Sequence, residues 1–114
     1  MCRRYETLAK TKSGVVQWCY ACESFHVGFG TFHITLRHEQ LSCLKSEMDF
    51  QIEDKTGKVA ENEKFFFFTT ESDYVRLAFT LNEMKECLSM VTESLWLFNT
   101  LSLLSSKENE QFDQ

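Results

Sequence analysis

The chain has 114 residues, a length that suits one domain able to bury a core without disulfide staples. A hydrophobic fraction of 43% with 14% aromatics excludes a disordered chain. A net charge of −5 argues against nucleic acid as a partner, because polyanion binding needs a basic footprint.

The N-terminus, Met1-Cys2-Arg3-Arg4-Tyr5-Glu6, has no apolar run behind it and does not read as a signal peptide. No stretch approaches the roughly 18 apolar residues that span a bilayer. The longest apolar zone, Leu95 to Leu104, is interrupted by Asn99, Thr100 and Ser102. The expectation is a cytoplasmic protein without a membrane segment. The five cysteines are then thiols or metal ligands rather than disulfides.

Residues 15–20 read as a strand, rich in β-branched and aromatic types. Residues 25–29 and 31–36 form a hairpin around Gly30-Thr31, a two-residue turn with Gly first. That turn sets Phe29 opposite Phe32, Val27 opposite Ile34 and Phe25 opposite Leu36, all on one face. His26, Gly28, His33 and Thr35 fall on the other. A helix follows over 38–53, with Leu41, Leu44, Met48 and Ile52 in one stripe and a Leu36/Leu41 staple at its start. A charged loop over 54–63 includes Gly57.

Phe65-Phe66-Phe67-Phe68 reads as a strand, Glu71-Ser72-Asp73 as a turn and 74–79 as a further strand. Thr80-Leu81-Asn82-Glu83 has the form of a capping box, and Phe79 with Met84 that of its staple. The second helix is expected over about 81–104, with Met84, Leu88, Val91, Leu95 and Phe98 facing inward. Residues 1–104 form the domain, and 105–114 a polar, acidic tail expected to fray. The strand–staple–helix pattern occurs twice: Phe32, Ile34, Leu36, Leu41 and Leu44 match Val75, Leu77, Phe79, Met84 and Cys87 in type. The order β-β-β-α-β-β-α implies an α+β fold, a mostly antiparallel five-stranded sheet with both helices on one face.

The sharpest chemical signal is Cys19-Tyr20-Ala21-Cys22 between two strands. A C-x2-C at a hairpin tip can aim two thiolates at one zinc ion, which needs four ligands. Cys2 is the third candidate and His26 the fourth, but four extended residues from Cys22 to His26 span roughly 13 Å. His26 ligates only if Glu23-Ser24 curl. The competing reading is two free thiols, and the lack of a second C-x2-C favours it. Cys43 and Cys87 are expected to face the core as small apolar groups. A thioredoxin-type redox pair is disfavoured, since that motif opens a helix.

His26 and His33 are diagonal neighbours on the polar face and, with Arg37, offer a possible anion or metal site against a plain solvated face. No nucleophile, phosphate loop or zinc-protease motif accompanies them, so an enzyme using His26 and His33 is the third choice. The phenylalanine run must send two rings away from the helix-covered side unless the N-terminal segment covers them. Phe66 and Phe68, with Trp96 and Leu103 off the stripe of the last helix, are the candidate interface. The first choice is a non-enzymatic, self-associating interaction or regulatory domain, with a structural metal at the C-x2-C as an option that competes with the free-thiol reading. A nucleic-acid accessory protein using the open sheet face is the second.

Met1-Cys2, Thr7-Leu8-Ala9, Gly14, Cys19-x2-Cys22, Phe29-Gly30, Ile34-x-Leu36 and Leu77-x-Phe79-Thr80-x-x-Glu83-Met84 resemble a family of short bacterial proteins, mostly from Bacteroidetes, with no assigned function. The resemblance covers most of the chain and implies no activity. Members often carry a His soon after the first Cys. Arg4, Tyr5 and Glu6 stand there in this sequence, which weakens a four-ligand site.

Overall fold

The computed structural model describes residues 4–55, 66–69 and 76–112. In chain order the elements are β1 (Tyr5–Lys10), β2 (Gly14–Cys19), β3 (Ser24–Phe29), β4 (Phe32–Leu36), α1 (His38–Lys55), β5 (Phe66–Thr69), β6 (Arg76–Phe79) and α2 (Leu81–Phe112). The fold is α+β. β1 to β4 form an antiparallel meander in sequence order, and β5 pairs with β6 in a separate ribbon. The expected five-stranded sheet is therefore a four-stranded sheet and a two-stranded one, with α1 and α2 packed on the former.

β3 and β4 pair as their alternation dictates: Phe25 with Leu36, Val27 with Ile34, Phe29 with Phe32. Phe25, Val27 and Phe29 are buried; Phe32, Ile34 and Leu36 are half-buried against the same core. Gly30 takes φ 59°, the left-handed conformation that a two-residue hairpin turn opening with Gly requires. Gly14 serves close approach instead. A Cβ there would collide with the Gly28 carbonyl oxygen.

β1 is the strand that alternation does not reveal. Its register with β2 slips between Thr7 and Ala9, so the adjacent Leu8 and Ala9 are both buried. Tyr5–Lys10 therefore lies beside β2 and extends the sheet, rather than folding across it as a cover for exposed rings. Thr11 holds the β1–β2 connection: its hydroxyl accepts from the amides of Ser13 and Gly14 and donates to Glu86 of α2 at 2.8 Å.

The two strand-to-helix junctions are built alike. The Arg37 amide donates to Gln40 Oε1 at 2.9 Å, and the Leu41 amide to the Arg37 carbonyl. At the second junction the Thr80 amide donates to Glu83 Oε1 at 2.8 Å, the Glu83 amide returns to Thr80 Oγ1 at 3.1 Å, and the Met84 amide reaches the Thr80 carbonyl. The full capping box exists only there, because Arg37 has no side-chain acceptor. Leu41 and Met84, the staple residues, are fully buried.

Two aromatic groups secure the layers. Trp18, Phe25 and Phe98 meet with ring centroids 4.6–5.0 Å apart, joining β2 and β3 to α2. Phe79 contacts Phe29, Phe32 and Phe68 at 5.6–6.0 Å, fastening the β5–β6 ribbon to the hairpin. Each such pair contributes about 0.5–1.5 kcal/mol beyond area burial.

α2 continues past Leu104 to Phe112, because no Gly or Pro stops it and Lys107, Glu108 and Gln111 favour helix. Its segment Leu81–Leu104 is long and apolar enough to cross a membrane, which the broken run of apolar residues does not suggest. Met84, Cys87, Met90, Val91 and Leu95 of that segment are buried in this domain's core. Residues 56–65 and the turn at 71–73 lie outside the described residues.

Candidate metal centre

The site is built where β2 hands the chain to β3. Cys19 ends β2 opposite Ser24 of β3 and Tyr5 of β1. Pairing alternates faces, so Cys19, Gln17, His26 and His33 share the side of the sheet away from Val16, Phe25 and Val27. Cys19 is nonetheless fully buried.

Residues 20–23 form the turn. The Glu23 amide donates to the Cys19 carbonyl at 2.9 Å, and the Cys22 amide to Cys19 Sγ at 3.4 Å. Ser24 Oγ donates to the Cys22 carbonyl at 3.2 Å. Glu23 takes φ 53°, unusual for a residue with a side chain. This is the curl on which ligation by His26 depends. The extended distance of roughly 13 Å is replaced by convergence: the ligand atoms of Cys19, Cys22 and His26 all lie within 4.8 Å of one another. Two sulfurs each 2.3 Å from a tetrahedral zinc are about 3.8 Å apart, a spacing that the 4.8 Å limit of this cluster admits.

The turn is tied to the N-terminal strand twice. The Tyr20 amide donates to the Arg4 carbonyl at 3.0 Å, and the Tyr20 phenol donates to Glu6. That bond to a carboxylate holds the phenol proton and raises its pKa, with burial a smaller cause. Cys2 lies outside the described residues.

His26 is half-buried, and its Nδ1 lies 3.3 Å from His33 Nε2. The two rings are diagonal neighbours, His26 pairing with Thr35 and His33 with Gly28. Burial, and then the neighbouring His33, lower the His26 pKa and favour the neutral ring. Arg37 does not complete this group: its guanidinium faces Glu39 at 3.5 Å on an exposed surface.

The other cysteines divide. Cys87 faces the core as expected, its thiol pushed up to about 12 by burial and then by Glu86. Cys43 is exposed rather than core-facing, because two residues beyond Leu41 is a turn of about 200°, away from the buried stripe.

Of the four interface candidates, Phe68 is buried against Phe79 and drops out. The ribbon folds that ring into the core instead of leaving it on an open sheet face. The Phe66 side chain lies outside the described residues. Trp96 and Leu103 are exposed, joined by Phe50 and Leu104, which helical periodicity did not single out. Trp96 lines a groove with Ile52 and Leu88, flanked by Lys85 and Glu93.

The positive φ of Glu23 and the ties from Tyr20 to Arg4 and Glu6 carry no sequence signal beyond the C-x2-C itself. A family model described as "Family of unknown function (DUF6686)" matches residues 1–111. No curated protein and no solved structure matches the chain.

Proposed function

We propose a function from the residues themselves, since the chain belongs to a family of unknown function: it is a non-enzymatic interaction domain that holds one structural zinc ion. The observation that carries the reading is the convergence of Cys19, Cys22 and His26. Two thiolates and an imidazole are the donors that tetrahedral zinc takes, and a site closed by a fourth protein ligand leaves no position for a substrate. We assign the fourth position to Cys2, the remaining ligand candidate of the sequence. It stands two residues before Arg4, whose carbonyl is bonded to Tyr20 of the turn, and two residues reach about 7 Å. The protein works in the cytoplasm, where thiols stay reduced for metal binding.

Its partner is a second copy of itself. The support is the apolar surface of the helices at Phe50, Trp96, Leu103 and Leu104, each more than half exposed. With Phe68 in the core, the helices rather than the sheet carry this interface.

Elemental analysis of protein prepared without chelator tests the metal. About one equivalent of zinc is expected, lost in Cys19→Ser and Cys22→Ser; less than about one-tenth equivalent in the unaltered protein overturns the reading. Light scattering across micromolar concentrations tests the association. A dimer weakened by Trp96→Glu is expected, and a monomer throughout that range refutes it.

A further inference from the structure

The geometry points to His33 as the positioning residue of the metal site: its Nε2 accepts a hydrogen bond from His26 Nδ1–H, leaving His26 Nε2 as the atom that ligates. This rests on the reading of Cys19, Cys22 and His26 as a metal centre.

A neutral imidazole has one N–H donor and one lone pair. A metal takes the lone pair, and whatever the N–H meets decides which nitrogen keeps its proton. His26 Nδ1 lies 3.3 Å from His33 Nε2, so the donor of His26 has an acceptor across the hairpin. With His33 Nε2 accepting, the proton of that ring belongs on its Nδ1. The register holds them there, since the Gly30-Thr31 turn puts His33 on the face of His26 and one step along the sheet. Gly28, opposite His33, has no side chain to stand between the rings. His33 itself is not part of the set whose ligand atoms converge. It touches a ligand, and it is exposed, so replacing it does not open the core.

The test uses the full chain titrated with Co²⁺, whose absorption reports the ligand set, followed by competition with a chelator. In His33→Ala the cobalt affinity is expected to fall about 10- to 100-fold, with the shape and intensity of the absorption bands retained. His33→Gln, whose Oε1 can accept from His26, is expected to recover most of the loss. A thermal melt of the metal-free proteins checks that both variants fold. Unchanged affinity in His33→Ala, with Cys22→Ser abolishing binding, overturns the role of His33 and leaves the metal centre standing. A cobalt spectrum that loses a nitrogen ligand in His33→Ala also overturns it, because His33 is then a ligand. Failure of the unaltered protein to bind cobalt overturns both proposals.

Discussion

β3 is entered through the turn at residues 20–23 and left through Gly30-Thr31, and each turn holds one residue in the left-handed region, Glu23 at φ 53° and Gly30 at φ 59°. At Gly30 that conformation has no steric cost, because no Cβ approaches the carbonyl. At Glu23 it costs about 1–2 kcal/mol. The Gly30 turn joins Phe29 to Phe32, two rings of the Phe79 group. The Glu23 turn is exposed at Tyr20, Ala21, Cys22 and Glu23. One turn closes a hairpin at low energy. The other is strained and brings two thiols and an imidazole together. Strain held at a surface turn with little core to gain is what a ligand site asks of a backbone.

Substitutions at the two ends of β3 sharpen the contrast. Phe29→Ala is expected to cost about 3–5 kcal/mol, since it empties a buried ring site, while Tyr20→Ala at the other turn costs under about 1 kcal/mol. Chemical denaturation of metal-free protein measures both, and equal losses would break the distinction between a core turn and a surface turn. Gly30→Ala comes next, at about 1–2 kcal/mol of destabilisation, because a Cβ must enter the left-handed region.

Glu23→Gly has the smallest effect and the opposite sign. Relief of the strained φ is partly offset by the greater freedom of glycine in the unfolded chain, leaving a gain of about 0.5–1 kcal/mol without metal. A loss of stability in that variant would show that the Glu23 side chain, rather than the site, accounts for the conformation.

The hairpin register, the Thr80 capping box and the inward stripe of α2 were legible because each follows from neighbours a few residues apart. Gly30-Thr31 allows one pairing that buries Phe25, Val27 and Phe29, and Thr80 lies within reach of Glu83 in any helix starting there. The diagonal contact of His26 with His33 followed from the same register. The placement of β1 was hidden, since its bulge turns Leu8 and Ala9 to the core together and removes the alternation that marks a strand.

The sequence by itself determined the α+β class, the faces of β3 and β4, and the position of the C-x2-C between two strands. All of these rest on side-chain period and on residue types confined to turns and caps. Only the tertiary structure decided that β5 and β6 stand apart from the four-stranded sheet, that Phe68 fills the core beside Phe79, and that Cys43 faces outward. It also decided the curl at Glu23. A residue with a Cβ is held in the left-handed region by the hydrogen bonds around it, here from its own amide to Cys19 and from Tyr20 to Arg4 on the next strand. Such bonds depend on how distant strands meet, and local sequence preference points the other way.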